Sequence, residues 1–170
     1  MRLTTTITLL FALTLSAAAA AKPTPVPGGA NQAEGVPTVF GKAAFNGEVR
    51  LTPRQLRDAT AADDLITPGG QKWIVLTATA ANGTTKSLDM QQFVASIVNA
   101  DGESVAADPD KLKPVGCACG IAPGAGWRET VDFLVPTDFK PVKILLIPYD
   151  HKHKAFRITV GASDYKSTTP

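Results

Sequence analysis

Apolar and polar residues alternate with a period of two along most of this chain. The clearest case is the segment 127–135, whose apolar members fall on one side: Val131, Phe133 and Val135. Successive side chains of a strand point to opposite faces, so this period predicts a strand with one buried face. Similar segments are 48–52, 72–80, 92–99, 103–106, 142–147 and 156–160. Their short spacing and Gly/Pro turns predict an all-β fold, an antiparallel β-sandwich of seven to nine strands.

Two segments depart from this simple alternation. In 142–147, Leu145 and Ile147 make the second face apolar as well, which is typical of a strand covered on both sides. In 52–62, Thr52 is a suitable helix cap and Pro53 suits a first helical turn. A helical turn therefore competes with a strand in that segment.

The first 21 residues have the pattern of a cleaved secretory signal. Arg2 gives a basic start, an apolar run follows over 4–15, and small residues occupy 16–21. No second apolar stretch reaches the length of a membrane span, so we expect none in the mature chain. The expected location is the periplasm or the extracellular medium. Residues 22–35 form a Pro/Gly-rich leader, 36–166 the sandwich domain and 167–170 a disordered tail.

The charge of the chain argues against a nucleic-acid partner. The formal net charge is +2, and loss of Arg2 with the signal leaves +1 on the remaining 149 of the 170 residues. Acidic residues are interleaved with Lys and Arg, whereas a nucleic-acid binder needs clustered cations. The expected partner is instead an unidentified protein or a component of the cell envelope, and no cofactor is expected.

The two cysteines, Cys117 and Cys119, lie in one glycine-flanked loop. In an oxidising compartment they are predicted to form a disulfide. The same pair is a candidate for thiol–disulfide exchange or for binding a soft metal such as Cu(I). The flanking glycines suit a tight loop in each case, so they do not discriminate between these alternatives.

The two histidines, His151 and His153, share a face if their segment is extended. Two imidazoles side by side can bind a metal, and Cys117 and Cys119 would complete an S2N2 set. The segment is charged and joins two strands, so a solvated turn is the simpler interpretation. Among the aromatic residues, Trp73 and Trp127 are candidates for stacking on a sugar, but both adjoin apolar residues and are expected to pack in the core.

The order of motifs resembles a known family. The matching segments are Phe40-Gly41, Gly70 to Leu76, Asn82, Asp101-Gly102, Pro123-Gly124 and Phe133 to Pro136. Over about Val39 to Gly161 this order is similar to the telokin-like, immunoglobulin-like domain of secreted bacterial proteins, of the protective extracellular antigen type. The resemblance implies an immunoglobulin-like fold and export, and it implies no catalytic residues. The chain departs from the family in the long insert 106–126 and lacks the antibody-type Cys…Trp…Cys spacing.

These observations favour a secreted, non-enzymatic, immunoglobulin-like binding module of unknown ligand. Its functional surface is expected in the long loop 107–126, because such folds place binding on loops. The alternative is an extracytoplasmic copper or thiol-redox protein that uses Cys117 and Cys119. The chain has neither a Gly-x-Ser-x-Gly nor a His-Glu-x-x-His motif, so hydrolase activity is not expected.

Overall fold

A computed structural model of the chain describes residues 35–88, 93–108, 120–148 and 153–168. These residues form ten strands and one short 3-10 turn, Ala61–Asp63. The strands are β1 Val36–Thr38, β2 Ala44–Phe45, β3 Val49–Asp58, β4 Gln71–Asn82, β5 Phe93–Asn99, β6 Ser104–Ala106, β7 Gly126–Pro136, β8 Pro141–Pro148, β9 Phe156–Thr159 and β10 Tyr165–Lys166. Within these ranges, no helix has the length and apolarity that crossing a membrane requires.

The strands are arranged in two sheets. Sheet A has the order β1-β9-β8-β5-β6, and sheet B has the order β10-β3-β4-β7, with β2 also paired to β3. All pairs are antiparallel except two at the edges, where β1 runs parallel to β9 and β10 runs parallel to β3. The predicted all-β sandwich is therefore confirmed. The described strands exceed the predicted number because β2 and β10, of two residues each, are too short to leave a periodic signal.

The apolar sides of the alternating segments pack between the sheets. Val131, Phe133 and Val135 of β7 are fully buried, as their period predicted. Phe93 of β5 meets Phe156 of β9 edge to face, with ring centroids 6.3 Å apart. Each buried side chain of this size contributes about 2 kcal/mol to folding, so the core is the main source of stability.

Strand β8 is buried on both faces, as its sequence predicted. Leu145 is 1% exposed and Ile147 is 5% exposed, although both point away from the core between the sheets. With Ala155 they form a second, small apolar cluster on sheet A.

Strand β3 occupies most of residues 52–62, the segment for which the sequence left a helical turn and a strand as alternatives. Pairing with β4 extends it to Asp58, and helical geometry is confined to Ala61–Asp63. The register shifts between Pro53 and Gln55, so that Arg54 is the extra residue of a bulge. A bulge accommodates proline, which lacks the N–H of a regular ladder.

Segments near the two ends of the described chain complete the sheet edges. Ser167 Oγ and the Thr168 N–H donate to Asp58 Oδ2 over 3.1 and 2.9 Å, although their sequence suggested a tail. Phe40 and Gly41, placed in a first strand by the resemblance, form a turn after β1, with a φ of +76° at Gly41. Residues 1–34, which contain the predicted signal and almost all of the leader, lie outside the described ranges.

Candidate functional site

Three of the four predicted site residues lie outside the described residues. These are Cys117, Cys119 and His151, so the disulfide and the combined metal site stay predictions. The expected functional loop 107–126 is described only over 107–108 and 120–126.

His153 is the described member of the predicted metal set. Its Nδ1 lies 3.2 Å from Glu48 Oε2, which is an ion-pair distance when the imidazole is protonated. Close by, Asn46 Nδ2 donates to the Lys154 carbonyl over 3.2 Å. These contacts join the β2–β3 turn to the segment before β9. The parts of the chain that the structure describes contain no group of three or more His, Cys, Asp or Glu side chains that could hold a metal ion.

Asn82, the last residue of β4, ties two loops together at the same end of the sandwich. Its buried amide nitrogen donates to the carbonyls of Lys86 and Ile121, each over 2.8 Å. Its Oδ1 accepts from the N–H and the hydroxyl of Thr84, again over 2.8 Å. The Asn-Gly-Thr sequence 82–84 therefore forms a turn, and the side-chain amide of Asn82 holds that turn in place through these hydrogen bonds.

The opposite end of the sandwich is closed around the buried carboxylate of Asp58. The Tyr165 hydroxyl donates a hydrogen bond to it, and Lys72 Nζ lies 3.6 Å away. Burial acts to raise the pKa of Asp58, but the hydrogen bonds from Tyr165 and Thr168 and the Lys72 charge hold the pKa below its usual range. A groove of about 690 Å³ lies beside this cluster, with Lys72, Lys140 and Tyr165 in its lining. The Asp58 carboxylate therefore offsets the positive charge of Lys72 at this end.

The outer surface of sheet B is covered over the half nearest Asp58. Trp73 is 7% exposed, and its indole N–H donates to the Ile66 carbonyl over 2.9 Å. Arg57 forms a two-pronged ion pair with Asp63, at 2.7 and 2.8 Å. This ion pair holds the pKa of Asp63 well below its usual range. Trp73 is thus buried as expected, but beneath the 59–70 segment rather than between the sheets.

The other half of this outer surface is open, and we call it the arginine face. It consists of Arg50, Thr52, Arg54, Gln55, Thr77, Thr79, Arg128 and Thr130. Thr79 is directly opposite Thr52 on one side and Arg128 on the other. The three arginines are exposed, and every other member carries a hydroxyl or an amide. The result is a polar and positively charged sheet surface.

The bulge in β3 sets the position of Arg54 on this face. As the extra residue between Pro53 and Gln55, Arg54 has no partner in the strand register. Its Nε donates to Thr79 Oγ1 over 3.1 Å, which turns the guanidinium across the central strand. Arg54 and Arg128 therefore approach Thr79 from opposite sides. Bulges commonly re-aim a side chain in this way at functional sites.

None of the three arginines of this face has a carboxylate partner among the described residues. Arg50 instead stacks on Phe45, with its Cζ 5.3 Å from the ring centroid. Gly83 allows that arrangement, since a Cβ there would lie 2.4 Å from the Phe45 ring. The carboxylates of the outer surface belong to the covered half, where Asp63 and Asp132 act on Arg57. The arginine face thus carries uncompensated positive charge.

A buried carboxyl lies on the inner side of β7, the edge strand that carries Arg128. Glu129 is 5% exposed and accepts a hydrogen bond from the Trp127 indole over 3.2 Å. Burial raises the pKa of Glu129 to about 7, and the bond from Trp127 opposes that rise. Trp127 packs partly against the core, as expected. The inner side of β7 thus has a titrating group directly behind the arginine face.

Sequence reasoning did not identify the arginine face. The alternation itself contains the signal, because the outward positions of β3 and β7 are occupied by Arg and Thr. Recognising one face requires knowing that both strands flank β4, and no local pattern gives that arrangement. The position of Arg54 depends in addition on a bulge.

Comparison with known proteins shows the fold alone. No family model and no curated protein matches the chain. The crystal structure of a secreted protein from Mycobacterium tuberculosis, MPT63, is similar with a TM-score of 0.51 and 13% identity, over 76% of this chain and 100% of that one. The yjhA protein from Bacillus subtilis is similar with a TM-score of 0.52 and 8% identity, over 73% and 99%. These similarities fit the immunoglobulin-like sandwich that the resemblance implied.

Proposed function

We propose that this protein is a secreted, non-enzymatic β-sandwich module that binds an anionic partner through the arginine face. One observation carries the proposal: Arg50, Arg54 and Arg128 share an open sheet surface without a carboxylate partner in the described residues. A guanidinium binds carboxylate or phosphate through two parallel hydrogen bonds. In this proposal the partner supplies the anions that the surface lacks.

Two observations support a place outside the cytoplasm. The first 21 residues have the composition and order of a cleaved secretory signal. MPT63, which has a similar fold, is a secreted protein. The partner is accordingly a component of the cell envelope or another exported molecule.

The near-neutral charge of the whole chain is compatible with a local anion site. A net charge of +2 over the full sequence gives little long-range attraction. Positive charge gathered on one face acts at contact distance, because salt screens exposed charges beyond about 8 Å at physiological ionic strength. This arrangement suits selective binding better than the extended tracking of a nucleic-acid backbone.

The alternative, a copper or thiol-redox function at Cys117 and Cys119, stays a prediction. Thiol titration with and without reductant, together with elemental analysis of the purified protein, tests it. Metal-free protein with a stable disulfide would contradict the metal version. A reduction potential far below that of the compartment would contradict the redox version.

The test of the proposed function is a triple variant, Arg50→Gln, Arg54→Gln and Arg128→Gln. Binding of poly-L-glutamate and polygalacturonate is measured by calorimetry at low salt. Hydrogen bonds to charged groups contribute about 1.5–3 kcal/mol each, so we expect affinity to fall about a hundredfold or more. Lys140→Gln removes one positive charge elsewhere and serves as the control, with unchanged affinity. A triple variant that binds both polymers as tightly as the original protein would overturn the proposal.

A further inference from the structure

The arginine face has hydroxyl and amide side chains between its charges. Thr52 and Thr79 lie opposite one another across β3 and β4, and Thr77 lies opposite Thr130 across β4 and β7. Hydroxyls both donate and accept hydrogen bonds, whereas a guanidinium only donates. A ligand that matched this surface would combine anionic groups with hydroxyls of its own.

The layout of the charges favours an extended ligand lying across the strands. Arg54 reaches over the central strand to Thr79, and Arg128 stands opposite Thr79 on β7. Neighbouring strands are about 4.8 Å apart, so the backbones that carry these two arginines are separated by about 10 Å. Arg50 lies four residues before Arg54 along β3 and widens the charged area. A polymer with repeated anions can engage several of these positions at once.

The same surface is poorly suited to a protein partner. Protein interfaces rely on aromatic and apolar anchors at their centre. Among the described residues, the exposed large hydrophobics are Val39, Phe45, Ile66, Val94 and Val142. Only Phe45 adjoins the arginine face, and its ring is held between Gly83 and Arg50. The centre of the face, around Thr79, has no apolar anchor.

We infer that the ligand of the arginine face is an anionic polysaccharide, with carboxylates bound by the guanidiniums and ring hydroxyls bound by the threonines. This inference rests on the proposed function and names the class of its ligand. Charge complementarity selects the anion, and the hydroxyl-rich, anchor-free surface selects sugar over polypeptide.

The test compares two polymers that share the carboxylate and differ in the hydroxyls. Polygalacturonate represents the polysaccharide, poly-L-glutamate represents an acidic protein segment, and dextran is the neutral sugar polymer. Binding to the full protein is measured at about 0.1 M and about 1 M salt, where the screening length falls from about 10 Å to about 3 Å. We expect polygalacturonate to bind more tightly than polyglutamate at low salt, dextran not to bind, and high salt to weaken both anionic polymers.

Removing two threonine hydroxyls tests recognition of the sugar hydroxyls separately from binding of the anionic groups. The double variant Thr77→Val and Thr130→Val keeps β-branched side chains, so it retains the strand preference of both positions. Two neutral hydrogen bonds correspond to about a tenfold loss of affinity for polygalacturonate, while affinity for polyglutamate stays the same. Thr159→Val, an exposed strand threonine of sheet A, is the matched control and should change neither.

Two results would contradict the inference in different ways. Equal affinity for both anionic polymers, with no effect of the threonine variants, would overturn the polysaccharide and leave a site for anions of either kind. The proposed function would survive that result. Anionic polymers that bind regardless of the three arginines would overturn the proposed function itself.

Discussion

The outer surface of sheet B has two halves that use arginine differently. In the covered half, Arg57 is paired with Asp63, and the 59–70 segment packs over Trp73. In the open half, Arg50, Arg54 and Arg128 have no carboxylate partner among the described residues. The same sheet, with the same strands, thus carries both a closed and an open polar surface.

The difference shows how an arginine that is paired within the fold can be distinguished from one that is available to bind a ligand. Arg57 comes with its own carboxylate six residues later, and that carboxylate also accepts from the Thr60 backbone. This pair closes a local loop and requires no outside partner. Arg54 and Arg50 are instead oriented by uncharged groups, Thr79 and Phe45, which direct a guanidinium without neutralising it.

The largest expected effect is on the covered half. Trp73→Ala removes the side chain that the 59–70 segment packs on, and such truncations cost about 3–5 kcal/mol. Thr79→Val, on the same strand and face but in the open half, keeps a β-branched side chain and should change the free energy of unfolding by less than about 0.5 kcal/mol. Urea unfolding measures both. Similar losses for the two variants would remove the distinction between the halves.

The next largest expected effect is a pH dependence of the free energy of unfolding, caused by Glu129 on the inner side of β7. Glu129 has a pKa of about 7 in the folded protein and an ordinary value of 4.5. The folded state therefore binds this proton more tightly than the unfolded state. Stability should fall by roughly 3 kcal/mol as the pH rises from 4.5 to about 7, and then level off.

Glu129→Gln is the control for that pH dependence. The amide keeps an oxygen for the Trp127 indole and cannot ionise, so the variant should show a flat profile between pH 4.5 and 7. It should also be more stable than the original protein at pH 8. A profile with the same slope in both proteins would assign the effect to another group.

The Arg57–Asp63 pair gives a smaller effect. Both side chains are partly exposed, so we expect Asp63→Asn to cost about 1 kcal/mol at neutral pH. Because the folded pKa of Asp63 is lowered, its contribution is present at neutral pH and is lost as the pH falls through that folded pKa. Asp64→Asn is the matched control, since asparagine tolerates the left-handed backbone at that position. If the two variants were equally stable, the ion pair would not hold the segment.

The smallest effect on stability is expected in the open half. Arg54→Gln and Arg128→Gln should each change the free energy of unfolding by less than about 0.5 kcal/mol, because each removes an unpaired charge from an exposed site. Arg57→Gln, the same substitution in the covered half, should cost about 1 kcal/mol. Thermal unfolding of the three variants ranks them. A destabilised Arg128→Gln would show that this residue serves the fold.

The sequence predicted the sandwich and its main strands because their cause is local. Val131, Phe133 and Val135 occupy one side of β7 through alternation alone, and that side is buried. The extent of β3 was not predictable, since the capping pattern at Thr52 and Pro53 is outweighed by pairing with β4. The buried Glu129 was also unexpected, as a charged residue in an alternating strand does not reveal how deeply its position is covered.

The arginine face could not be predicted because its members come from different strands. Arg54 and Arg128 are 74 positions apart in the chain and meet only because β3 and β7 both flank β4. The sequence predicted sites at Cys117 and His153 because each has a second residue of the same type two positions away. Arginine and threonine on a strand are ordinary residues, and their arrangement becomes informative only in three dimensions.

The parallel pairing at two sheet edges determines when this chain can finish folding. Val36 pairs with Phe156, and Asp58 is held by Tyr165, Ser167 and Thr168. A chain that emerges N-terminus first from a ribosome therefore cannot complete either sheet edge until residues 156–168 have been made. Contacts of such long sequence separation form late and slowly. The order of synthesis thus leaves both sheet edges open until the segment that carries β9 and β10 is available.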